Sequence, residues 1–196
     1  MRDSDTFMPN REQLAAYRAA RWRAYTPGRG RAADGLLREW LLEPSSLTAR
    51  LRAICPGGFA VKLLDQGYAP IRVDERRSLG IAIGHQAFVR EVLLTCRGVP
   101  WVFARTVIPR SVAQCELRSL TRLGTRPLGE VLFASRDLVR KNLQLARISG
   151  SGGEEVSESN SDTRVIWGRR SIFLRARQPL LVSEVFLPAF AHFLKT

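Results

Sequence analysis

The chain has 196 residues, 45% apolar and 25% charged, a composition that fits a globular protein with a real core and not a low-complexity polymer. Its 31 basic and 18 acidic residues leave a net charge of +13, which points to an anionic partner of some kind, whether nucleic acid, an acidic surface or a small polyanion. Cys55, Cys96 and Cys115 are odd in number and lack CxxC spacing, which argues against a disulfide framework or a zinc site and fits a reducing cytoplasm. The N-terminus has no apolar core of a signal sequence. The longest apolar run, near 179–194, is interrupted by Glu184 and His192, so no transmembrane segment is expected. His85 and His192 are the only histidines, and neither has a second ligand at metal spacing.

From Asn10 to about Tyr25 the stretch NREQLAAYRAARWRAY has helical spacing, and TPGRGRAADG then breaks it. Residues 1–34 therefore read as an N-terminal helical extension and 35–196 as the main domain. LLREWLLEP follows, ended by Pro44. Ser45 and Ser46 can cap a short helix, SSLTARLRAIC, whose first free N–H groups fall around Leu47. The Gly and Pro punctuation of PGGFAVKLLDQGYAPIRV predicts a hairpin with strands near 59–65 and 68–74.

HQAFVREVLLTC and WVFARTVIP are clearer strands, joined by the short RGVP. On the first, Phe88, Arg90, Val92, Leu94 and Cys96 share one face, so Arg90 is a charge on an apolar surface. SVAQCELRSLTRL reads as a helix, LGTRPLG as a sharp turn, and EVLFASRDLVRKNLQLARI as a return to helical spacing. Residues 149–163, SGSGGEEVSESNSDT, offer almost nothing to bury and read as a surface loop. Two strands close the chain, SIFLRAR and PLLVSEVFL, with a tight turn expected at Gln178 and Pro179.

In PLLVSEVFLP, Leu180, Val182, Glu184 and Phe186 lie on one face and Leu181, Ser183, Val185 and Leu187 on the other. Both faces are apolar, so the Glu184 carboxyl needs a compensating partner. A structural ion pair, an edge position reaching water and a functional carboxylate all meet that need. The order of elements predicts an α+β protein with a single antiparallel sheet of about six strands, helices packed against it, and a site enclosed between the two layers.

Several stretches together resemble the chorismate lyase family: FVREVLL with PW four residues beyond Cys96, ARTVIP, LGTRPLG followed by LF, WGRRS, and PLLVSEVFLP. They stand in the family's order and cover roughly Phe88 to Pro188. The longer 149–163 segment and the first thirty residues depart from its pattern. The resemblance implies conversion of chorismate to 4-hydroxybenzoate and pyruvate, the first committed step of ubiquinone synthesis, without metal or cofactor. It also implies a cytoplasmic monomer with no nucleic-acid partner, and an internal cavity under helical flaps that holds its product and is inhibited by it.

Carried over residue by residue, the resemblance assigns ligand contacts to Arg90, Glu184 and the backbone N–H groups of Leu128 and Leu47. The residue types suit the chemistry. A guanidinium grips a carboxylate through two parallel bonds, which lysine cannot do. Glu184 can hold the C4 hydroxyl, act as general base or acid, or orient an internal hydrogen transfer. Two other readings stay open at this level: a small-acid-sensing domain of the same fold, and a nucleic-acid-binding protein suggested by the charge. The first lacks a preceding helix-turn-helix pattern and the second a recognisable binding motif.

Overall fold

Ala87–Cys96 (β3) and Val99–Pro109 (β4) form the middle of the sheet in the computed structural model, which describes residues 8–28, 33, 35–149 and 165–196. All ten residues of β3 are buried, as expected of a strand covered on both faces. Arg97 and Gly98 connect the pair with φ values of 48° and 82°, the positive angles that a two-residue hairpin of the right twist demands. On one side lies Phe59–Ala69 (β2). On the other come Gln178–Phe186 (β7), Val165–Arg175 (β6), Val139–Ser149 (β5) and the two-residue Arg23–Ala24 (β1). Among the described residues these make one sheet of seven strands in the order β1-β5-β6-β7-β4-β3-β2, every pair antiparallel.

Several expectations are corrected. The predicted hairpin at 59–65 and 68–74 is a single strand, β2, after which Pro70 ends the ladder and Val73–Leu79 forms a helix (α4). Its signals were local: Asp74 and Glu75 in the first turn, Arg76 and Arg77 in the last, and Gly80 at φ 66° as the stop. The helical reading of EVLFASRDLVRKNLQLARI holds only for Leu128–Phe133 (α6). Beyond a turn at 134–138 the segment is β5, kinked where Asn142 takes φ 54°, and it satisfies its backbone against β6. The last hairpin turns at Ala176 and Arg177, both at positive φ, and not at Gln178 and Pro179, which already belong to β7.

SVAQCELRSLTRL is likewise not continuous: Arg110–Gln114 (α5) is followed by a 3-10 turn at Arg118–Arg122. The N-terminal helix is Arg11–Arg18 (α1), capped by Asn10, and the chain then reaches the sheet edge as β1. Gly35–Leu42 forms a helix (α2), Leu47–Ile54 (α3) forms as anticipated, and the Ser46 hydroxyl accepts the Ala49 N–H. Pro188–Phe193 (α7) ends the fold. Residues 150–163 of the predicted surface loop lie outside the described residues.

The two faces of the sheet carry different helices. Trp40, Leu47 and Leu51 from α2 and α3 join Phe190 of α7 over Val92, Val102, Ala104 and Phe186. Nearby, Val112, Leu120 and Leu132 cover Phe88, Ile108, Phe173 and Val182. On the opposite face Tyr17 of α1 packs over Leu93, Phe103 and Val185, and Leu79 of α4 over Val89 and Leu181. The alternation predicted for β3 and β7 matches this division residue for residue.

Cys55 and Cys96 are joined as a disulfide, their Cα atoms 6.0 Å apart, contrary to the expectation from cysteine counting. The two are 41 positions apart with no spacing motif, and only the fold brings the C-cap of α3 to the end of β3. Cys115 is free and exposed.

Candidate active site

Between the two apolar clusters on the α2–α3–α6 face lies a cavity with about 570 Å³ of atom-free space, partly open to solvent. The sheet supplies its floor: Arg90 and Val92 from β3, Ala104 and Thr106 from β4, Val182 and Glu184 from β7, Arg169 and Phe173 from β6. The roof comes from two helix starts, Ser45, Leu47 and Thr48 before and within α3, and Pro127, Leu128 and Gly129 at α6. At Gly129 a Cβ would come within 2.9 Å of both the Ser46 and Thr48 hydroxyl oxygens, so glycine lets the two roof segments close on each other. All four residues singled out from sequence, Arg90, Glu184, Leu47 and Leu128, line this one space.

Arg90 is 3% exposed. One guanidinium nitrogen donates to the carbonyls of Gly124 and Arg126 at 2.8 and 3.0 Å, in the loop leading to α6. Its Nε has no acceptor, and among the described residues no carboxylate lies within salt-bridge distance. Burial pushes its pKa below the usual arginine value. A buried cation without an anion is costly, and one facing a cavity is a prepared seat for a carboxylate.

Glu184 lies two strands from Arg90 and two residues along the register: Arg90 pairs Thr106, and Ala104 pairs Glu184. From strand spacing and rise the two Cα atoms are about 12 Å apart, a span that two inward side chains and a small ring can fill. The carboxyl accepts from Nε of Arg169 at 2.5 Å, and Arg169 sits directly opposite it on β6. Arg169 also donates to the carbonyls of Trp40 and Glu43 at 2.8 Å each. Arg140 on β5 donates to the same Glu43 carbonyl at 2.6 Å and to the Ser171 hydroxyl at 2.8 Å, and burial together with the charge of Arg169 pushes its pKa down to about 10. The site is thus bipolar. A free guanidinium lies under α6 at one end, and a carboxylate backed by two guanidiniums lies under α3 at the other.

Residues 30–194 match the family model described as chorismate lyase. A probable chorismate pyruvate-lyase of Pseudomonas putida is 42% identical over 151 residues, covering 77% of this chain and 80% of that protein. One from an Azoarcus species is 41% identical over 175 residues, covering 86% and 90% respectively. The chain belongs to the chorismate lyase family. Its fold also recurs in the C-terminal domain of PhnF, with a TM-score of 0.50 at 14% identity over 68% of this chain and 86% of that one, a likeness of fold alone.

Two features of this chorismate lyase family site escaped the sequence reading. Arg169, the partner that Glu184 required, stands in the quoted WGRRS, and pairing that strand with PLLVSEVFLP in register would have placed it opposite Glu184. Arg140 had no such signal, because its strand reads as helix. Among the described residues no helix is long and apolar enough to cross a membrane, and no group of three or more His, Cys, Asp or Glu is placed to hold a metal ion.

Proposed function

We propose that this cavity is where the chain performs the chorismate pyruvate-lyase reaction of its family, turning chorismate into 4-hydroxybenzoate, a ring precursor of ubiquinone, and pyruvate. The observation that carries the reading is the buried, anion-less Arg90 facing the same cavity as Glu184. Arg90 takes the ring carboxylate by its charge and the N–H groups left over by Gly124 and Arg126, and the N–H of Leu128 at the start of the adjacent roof segment adds a donor at that end. Glu184 holds the C4 hydroxyl at the other end, beside the N–H of Leu47. The enolpyruvyl ether bond at ring C3 breaks, the C4 hydrogen leaves, and the enolpyruvyl methylene gains a proton as its oxygen becomes the pyruvate carbonyl. Aromatisation supplies the driving force, so orientation and hydrogen bonding by Glu184 suffice and no strong acid is needed.

A doubly charged substrate does not cross a bilayer unaided, which supports a place in the compartment that makes it, taken here as the cytoplasm. Cys55 and Cys96 are 2% and 9% exposed, so a reductant there reaches their bond poorly. A roof closed over the aromatic product makes release slow and product inhibition strong. The test is incubation of the purified protein with chorismate: 4-hydroxybenzoate and pyruvate should appear in equal amounts, with an initial burst of ring product. Stoichiometric binding of chorismate without turnover would replace the lyase with a sensor.

A further inference from the structure

We propose that Arg169 is a positioning residue that couples the orientation of Glu184 to closure of the roof over the cavity, a proposal that rests on reading this cavity as the site of chorismate turnover. Its guanidinium joins two things that have no other direct link. Nε holds the Glu184 carboxyl at 2.5 Å, and Nη1 holds the carbonyls of Trp40 and Glu43 at 2.8 Å each. Trp40 lies in the last turn of α2 and Glu43 just beyond it, where helix carbonyls lack partners within the helix and attract a cation.

Glu43 is the pivot of the roof. Its side chain accepts the Ser45 N–H at 2.9 Å and pairs with Arg50 of α3 at 3.0 Å, and four residues after Glu43 Leu47 begins α3 over the cavity. Arg140 donates to the same Glu43 carbonyl at 2.6 Å. Two guanidiniums on one carbonyl oxygen repel each other, and the Glu184 carboxyl beside them offsets that repulsion. If the roof swings out to admit or release ligand, Arg169 loses both carbonyl acceptors, and its remaining bond no longer fixes the plane of the carboxylate. With the roof closed, three bonds lock the fork and the fork locks Glu184.

The test is a cycle of Arg169→Lys, Glu184→Gln and the double variant in the full chain, read by two rates. Lysine keeps the charge but cannot bridge carboxylate and carbonyls in one plane. The single-turnover rate of 4-hydroxybenzoate formation should fall about tenfold or more in Arg169→Lys, and far less when the same change is made in Glu184→Gln. Dissociation of 4-hydroxybenzoate should speed up about tenfold in Arg169→Lys, because lysine cannot keep both roof carbonyls. An equal loss of single-turnover rate in both backgrounds, or unchanged dissociation, overturns the coupling. Should Arg169→Lys not fold, Arg140→Gln removes one of the two guanidiniums on the Glu43 carbonyl, together with its bond to the Ser171 hydroxyl, and unchanged product dissociation in it overturns the proposal too. The unaltered protein is run first: if it does not turn over chorismate, the functional reading fails and this proposal with it. Wild-type turnover with an additive cycle sinks the proposal alone.

Discussion

Arg90 and Arg105 stand on neighbouring strands of one sheet, both buried, and they have been provided for in opposite ways. Arg105 points to the α1–α4 face, where it donates to both oxygens of Glu75 at 2.7 and 3.0 Å and to Glu91 at 2.8 Å, with Arg18 completing the Glu91 pair. Arg90 points to the cavity face and finds only two backbone carbonyls. The fold satisfies the first charge from within its own chain, and on the function proposed above the second is satisfied by a ligand.

The largest expected effect breaks the satisfied side. Arg105→Ala leaves Glu75 and Glu91, 3% and 1% exposed, without their shared cation, and should cost about 3–5 kcal/mol in urea unfolding, the range for a broken buried pair. Arg90→Lys should do the reverse, weakening 4-hydroxybenzoate binding by roughly 1–3 kcal/mol while costing less stability than Arg105→Ala. Loss of stability in the second variant and of binding in the first would invert the contrast.

A smaller effect follows from protonation. Burial pushes the Glu91 carboxyl up, but the bonds and charges of Arg18 and Arg105 outweigh it and leave its pKa below the ordinary 4.5. A folded value below the unfolded one means that this contribution to stability is full above 4.5 and is lost as pH falls through the folded value. Unfolding midpoints followed from neutral pH downward should therefore decline less steeply in Glu91→Gln than in the unaltered protein. Identical slopes would mean that Glu91 is not held ionised by the network.

The smallest effect concerns the roof. Ser46→Ala removes the cap of α3 and should cost about 1 kcal/mol, seen as faster amide exchange in α3 with the sheet unaffected. Exchange rising equally across the sheet would mean that the roof and the floor open as one unit.

How much of this was legible beforehand divides along the same line. Alternation on β3 and β7 placed Arg90 and Glu184 on a common face, because a period of two fixes the face once a strand is recognised. The two roof helices were marked by a serine cap before Leu47 and a turn before Leu128. The segment 138–148 was not legible: its leucines at 138, 143 and 145 fit either period, and only pairing with β6 makes it a strand and brings Arg140 to the site. Nor was the far-face network legible. Glu75 lies just past the strand predicted at 68–74, on a helix the pattern did not reveal, and a charge partner across the sheet leaves no mark in the linear pattern.

The central claim is that chorismate reacts between Arg90 and Glu184. Single-turnover formation of 4-hydroxybenzoate in folded Glu184→Ala tests it most directly, and the rate should drop at least about a hundredfold, the scale of a positioned acid–base group. A near-normal rate in that variant would contradict the assignment of the site.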